Sequence, residues 1–296
     1  MTVMQSLLTR LGLTRGRWAA GGFLAVAAGA ALIFSGVSAA GASPSAHASV
    51  HPITHIVPRP HSRAVAPAAG GNLINHGGPV ETAPAVWVVY WGWTSDPSGE
   101  QARVNSFLTD VGGSSWLSTV HQYSSAGYTG TLLHSTWSDS ASVPTHPTDS
   151  QIQAEATKAA GHFATGTSDN VEIVVATPTG HSERGFGTRW CAYHGAVSSD
   201  PNITYTYLPY MTDAGASCGE NSVNGGSAGL LDGVSIVEGH ELAETITDPL
   251  LNAWYDSSGS EIGDKCAWIN LQNTSMGGGS FPTQPLWSNS AGGCVQ

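Results

Sequence analysis

The sequence predicts an α+β domain in which a mixed sheet is backed by helices, one late helix carries the site, and the C-terminal part is stapled by disulfides. Three observations lead there. Strand-like apolar runs such as residues 171–177 (VEIVVAT) alternate with helical stretches such as 151–163, the order expected of a sheet packed on helices. One helical stretch, 234–247, collects a histidine and several carboxylates in a chain of which only 10% is charged. All four cysteines, Cys191, Cys218, Cys266 and Cys294, fall in the last third.

Residues 1–48 read as a signal peptide. Arg10, Arg15 and Arg17 form a basic start, residues 18–37 are apolar, and Ala46-His47-Ala48 offers a small-x-small cleavage site, with Ser38-Ala39-Ala40 as an earlier one. The apolar run is long enough to span a bilayer, so retention as an anchor is the alternative. No other segment is apolar enough to cross a membrane, and the remainder is expected outside the cell, secreted or associated with the envelope. Residues 49–71, rich in Pro, Ala and His without periodicity, read as a poorly ordered linker or pro-segment. Residues 72–296 have the size of a single domain with a sizeable core.

Within that domain, residues 85–91 (AVWVVYW) read as a buried strand, 100–110 and 115–123 as helices, and 129–137 as a strand. An amphipathic helix over 151–163 and the strand over 171–177 follow. Residues 203–210 (ITYTYLPY) alternate like a half-exposed strand, which places them at a sheet edge where an extended peptide can add by backbone hydrogen bonds. Past Cys266 the chain turns irregular, with Trp287 and Cys294 as anchors.

Removing the leader takes away three of the ten basic residues and none of the 21 acidic ones, so the net charge moves from −11 to −14. That excess argues against nucleic acid and against anionic membrane surfaces as partners. An even cysteine count in an exported chain predicts two disulfides. Cys191–Cys218 and Cys266–Cys294 are preferred because they close the shorter loops. A cysteine metal cluster is disfavoured by the oxidising compartment and the absence of any CxxC spacing.

The helix over 234–247 contains no proline and is stopped by Asp248-Pro249. At about 100° per residue, Val237, His240, Glu241, Glu244 and Asp248 share one sector, with Gly239, Leu242, Ala243 and Ile246 opposite. Carboxylates one turn apart repel each other. Such a face is either solvated or, away from water, needs a shared proton or a cation. His240-Glu241-x-x-Glu244 is a variant of the zinc-peptidase HExxH helix, in which the outer residues hold the ion and the intervening Glu acts as general base. His240 and Glu244 are therefore expected as zinc ligands and Glu241 as the base. The third ligand is left among Asp264, Glu261 and Asp248. Calcium, with its oxygen-rich shell, is the other cation this cluster suits. Gly239 is expected to admit another backbone closely.

His194, three residues after Cys191, is either a helper brought near His240 or a hydrogen-bonded structural histidine. The string Gly225-Gly226-Ser227-Ala228-Gly229 matches G-x-S-x-G, yet the residues before it cannot form the strand a nucleophilic serine needs, so it reads as a loop. Two acids one helical turn apart leave little room for a sugar, which ranks a glycosidase below the metal reading.

The stretches INHGGPV (74–80), VWVVYWGWTSD (86–96), GFGTRWCAYHG (185–195), GHELAETITDPLLNAWYD (239–256) and EIGDKC (261–266), with Trp287 and Cys294, resemble the phosphate-induced, exordium-like secreted proteins. These are known from plants and bacteria, and the chain reads as a bacterial member. The resemblance implies a wall-associated extracellular protein whose cysteines pair as disulfides; it supplies no active site. The expected sheet and site helix are also similar to a zincin-like arrangement. Two functions follow as expectations: a secreted metal-dependent hydrolase, most simply a peptidase, or a non-catalytic extracellular protein that binds a partner or cell-wall component.

Overall fold

The computed structural model describes residues 55–57, 59, 71–166 and 168–296, all within the unit Ala46–Gln296. The expected signal peptide lies outside the described residues. Among the described residues no helix is long and apolar enough to cross a membrane.

The elements in chain order are β1 (Ile74–Asn75), β2 (Ala85–Trp91), α1 (Glu100–Asp110), α2 (His121–Ser124), β3 (Leu133–Asp139), α3 (Asp149–Phe163), β4 (Val171–Ala176), β5 (Tyr193–Val197) and β6 (Asp200–Leu208). After these come α4 (Asp232–Thr247), β7 (Trp254–Tyr255), β8 (Gln272–Met276), β9 (Gly279–Thr283), β10 (Leu286–Ser288) and β11 (Gly293–Val295). One mixed sheet runs in the order β3-β2-β4-β6-β5. Its first four strands are parallel, and β5 lies antiparallel to β6 at the edge.

Alternation along the strands divides their side chains between two faces. Val89, Ile173, Val175, Tyr205 and Tyr207 pack with Ile152, Ala156 and Ala159 of α3. Val86, Val88, Val174, Ala176 and Leu208 join the larger core with Val104, Phe107 and Leu108 of α1 and with Val234, Val237, Leu242 and Ile246 of α4. The sheet is thus covered by helices on both sides. Helix α3 starts on a capping box formed by Thr148 and Gln151. The two disulfides are Cys191–Cys218 and Cys266–Cys294, the pairs the shorter loops favoured.

Several expectations are corrected. Residues 115–123 form a 3-10 turn, Leu117–Val120, that leads into the short α2. The strand expected at the edge, β6, is interior, with every residue from Ile203 to Leu208 buried. Its polar groups find partners on both faces: the Tyr205 hydroxyl donates to Asp149, and the Thr206 hydroxyl donates to Glu172. That satisfaction lets a sequence that alternates like a half-exposed strand sit inside the protein. The edge is β5. Part of 49–71 is docked: Ile56 is fully buried and forms an antiparallel bridge with Ala192. Helix α4 has no solvent face, since all of its residues are buried. Gly239 admits aromatic rings in place of a backbone, because a Cβ there would stand 3.1 Å from Phe107 and 3.2 Å from Trp116.

Candidate metal centre

The polar sector of α4 meets a polar patch on the sheet. In β5, His194 lies in register with Thr206 of β6, and Glu172 of β4 lies in register with Thr204. Strand alternation turns these residues toward α4, on the side opposite Tyr205 and Tyr207. Glu172, His194, Glu238, His240, Glu241 and Glu244 are all without solvent exposure. Isolated charges at such depth are strongly disfavoured unless they are paired, protonated or bound to a cation.

Two histidines organise the cluster. His240 Nε2 is 3.0 Å from Glu244 Oε1 and 3.7 Å from Asp264 Oδ1. Ligand atoms about 2.0–2.1 Å from a tetrahedral zinc stand about 3.3 Å apart, so these separations bracket that edge. Among the described residues neither ring nitrogen of His240 has a hydrogen-bond partner, and neither do Glu244 Oε2 and Glu241 Oε1. A buried ring nitrogen this close to a carboxylate oxygen without hydrogen-bond alignment leaves both atoms short of a partner among the described residues. Asp264 reaches the site on the turn Asp264–Cys266, and its backbone N–H donates to Glu244 Oε1 at 2.9 Å. Gly263 makes this approach feasible: a Cβ there would stand 2.7 Å from His240 Nδ1 and 3.0 Å from Glu244 Oε1.

On the other side, His194 Nδ1 is 3.3 Å from Glu241 Oε2 and 3.7 Å from Glu244 Oε2, while Nε2 is 3.5 Å from Glu261 Oε1. Glu244 therefore stands between the histidines, one oxygen toward each. Among the described residues two sets of donors lie close enough to hold an ion, His240–Glu244–Asp264 and His194–Glu241–Glu244. The former combines one imidazole and two carboxylates, ligand types zinc accepts. Calcium's larger, oxygen-only shell is a poorer match to a set containing His240.

Burial dominates the electrostatics. It pushes the Glu241 carboxyl up to about 8, opposed by His240 and reinforced by Asp264. Glu244 is held well above the ordinary carboxyl range by burial, then by Asp264 and Glu241. Glu172 rises to about 8 through burial, and Glu238 rises through burial and its acidic neighbours Glu172 and Glu241. A divalent cation would relieve this excess of buried acid directly.

The candidates for third ligand separate cleanly. Asp264 joins His240 and Glu244, and Glu261 joins His194. The Asp248 carboxylate instead accepts the backbone N–H groups of Asn252 and Ala253, both at 2.6 Å, and so shapes the turn after α4. Asp256, part of the same acidic run, pairs with the buried Lys265 at 2.7 Å. Ser227 sits in an exposed 3-10 turn with no strand before it. Sequence reasoning missed Glu172, whose signal was a lone acid inside an apolar strand, and it missed Gly263.

No known family model matches the chain, and no solved structure does. Over 74 residues, 24% of this chain, it is 42% identical to Protein EXORDIUM-like 5 of Arabidopsis thaliana. The matched stretch is 19% of that protein, so the chain spans about a fifth of its relative's length. Over that stretch the chain has an exordium-like relationship.

Proposed function

We propose that this chain is an exported hydrolase of peptide bonds that depends on one divalent ion, zinc by donor type, held by His240, Glu244 and Asp264. One observation carries the reading: the fully buried His240 presents two ring nitrogens without a hydrogen-bond partner among the described residues, with Glu244 Oε1 at 3.0 Å and the partly exposed Asp264 Oδ1 at 3.7 Å. An ion held by these residues would supply Lewis acidity toward water and toward the scissile carbonyl. Glu241 would take the proton of the attacking water as its oxygen bonds to the carbonyl carbon. It would then return that proton to the amine as the C–N bond breaks. His194 is a positioning residue, with Nδ1 3.3 Å from Glu241 Oε2. The test is hydrolysis of a peptide library by the ion-loaded chain, together with Glu241→Gln. Loss of turnover with the ion retained supports the reading; turnover that survives Glu241→Gln contradicts it.

A second reading is favoured by one observation. The four central residues, His194, His240, Glu241 and Glu244, are all 0% exposed. A closed centre of that kind suits a non-catalytic extracellular or wall-associated binding protein in which an ion only staples α4 to the loop of Asp264. An ion-loaded chain with no turnover on any peptide, both intact and cut after residue 64, selects it.

A further inference from the structure

Residues 55–57 and 59 lie against the chain just before β5. Ile56 pairs antiparallel with Ala192, and its carbonyl accepts the Cys191 backbone N–H at 2.8 Å. The Val57 carbonyl accepts the Trp268 indole N–H at 2.5 Å. The Arg59 backbone N–H donates to the Ser217 carbonyl at 2.8 Å, and its guanidinium donates to the Ser222 hydroxyl at 2.9 Å. The Ile56 side chain is fully buried in the same core as α4, and its backbone N–H donates toward the Glu241 carboxylate. Val57, by contrast, is 55% exposed.

Most of these hydrogen bonds are made to the segment's backbone; among its side chains, Ile56 is sunk beside the proposed base and the His55 ring packs on Tyr193, 4.9 Å between centroids. Recognition of this kind is how an extended peptide adds to a sheet edge: main-chain hydrogen bonds supply affinity and alternate side-chain pockets supply selectivity. The rails are rigid, since Cys191 and Cys218, which flank the bonding groups of Ala192 and Ser217, are joined by a disulfide. Beside the segment a cavity of about 410 Å³, lined by His55, Val57, Arg189 and Trp190, leaves space for a flanking side chain.

We propose that the strip formed by Cys191–Ala192, Ser217 and Trp268 is a binding groove for an extended peptide with an aliphatic residue at the Ile56 position. Residues 55–57 and 59 belong to its resident occupant, with Ile56 seated against Glu241. The chain in this state is latent, and departure of the segment opens the centre to a substrate peptide of the same form. The inhibitory meaning rests on the hydrolase reading; the groove itself does not.

The test uses the full chain with a specific protease site inserted after residue 64. A fluorescently labelled peptide of residues 52–60 (PITHIVPRP) reports binding by anisotropy. The uncut chain should take up no peptide, and the cut chain should exchange its own fragment for it. A peptide carrying Ile56→Asp should bind at least about tenfold more weakly, because a buried aliphatic contact is replaced by a charge. Equal anisotropy with cut and uncut chain, or equal binding of the two peptides, overturns the proposal. If the cut chain loses its circular dichroism, the uncut full-length Ile56→Asp variant takes its place; it should bind the unmodified peptide, and failure to do so again overturns the groove. Metal content separates the two proposals. Peptide binding by a cut chain that takes up no zinc when it is supplied sinks the hydrolase reading and leaves the groove standing. A zinc-loaded cut chain that binds no peptide does the reverse.

Discussion

Gly263 lies against the His240 ring so closely that a Cβ at position 263 would stand 2.7 Å from Nδ1. Adding one methyl group there should displace the ring or the Asp264 turn without removing any ligand. Gly263→Ala is expected to weaken divalent-ion binding by about 10–100-fold, the scale seen when a group that orients a ligand is lost. Competition against a chromogenic chelator measures it. Unchanged affinity would mean that His240 holds nothing.

Glu241 and Glu244 are both fully buried carboxyls on α4, yet they should fail differently. Glu241→Gln should lower kcat by about 10²–10⁴-fold, the range for a general base, with ion content intact. Glu244→Gln should lower ion content itself. Equal loss of ion in both variants would assign Glu241 to the donor set and not to proton transfer.

The Cys266–Cys294 bridge spans a sequence separation of 28 and begins two residues after Asp264. Replacing both cysteines by serine should cost about 3–4 kcal/mol through the entropy of the unfolded chain, read from urea unfolding. It should also weaken ion binding, because the turn that delivers Asp264 loses its anchor. Replacing Cys191 and Cys218 should cost a similar amount of stability while leaving the Asp264 turn in place.

Glu100 gives a pH signature away from the centre. Burial pushes its carboxyl up to about 7, although it accepts the backbone N–H groups of Met211 and Thr212, both at 2.8 Å. A folded pKa above the unfolded one means that the folded state binds the proton more tightly. Its stabilising contribution is then complete below about pH 4.5 and declines as pH rises toward 7. Glu100→Gln should flatten the stability–pH profile of the natural chain across that window, measured by chemical denaturation at each pH. An identical slope in both proteins would contradict the shift.

The sequence made α4 legible because its helix formers and the Asp248-Pro249 stop act locally, and the structure extends the helix only to Asp232–Thr247. Helical geometry alone brings His240 and Glu244 together. Asp264 could not be singled out from Glu261 and Asp248, since the loop's path depends on the Cys266–Cys294 bridge and the Asp256–Lys265 pair. Strand β5, with Gly195 inside it, has little propensity of its own and exists by pairing with β6. His194 consequently gained its place opposite Glu241 only in three dimensions. Ile56 was hidden by composition: a Pro/Ala/His-rich stretch gives no sign that one of its residues is core.

The most direct measurement is metal content of the full chain, purified without a histidine tag, before and after dialysis against a chelator. One divalent ion per chain is expected, with its loss in His240→Ala and its return on addition of zinc to the natural chain but not to the variant. A chain that folds, contains no metal and binds none when zinc is supplied would contradict it.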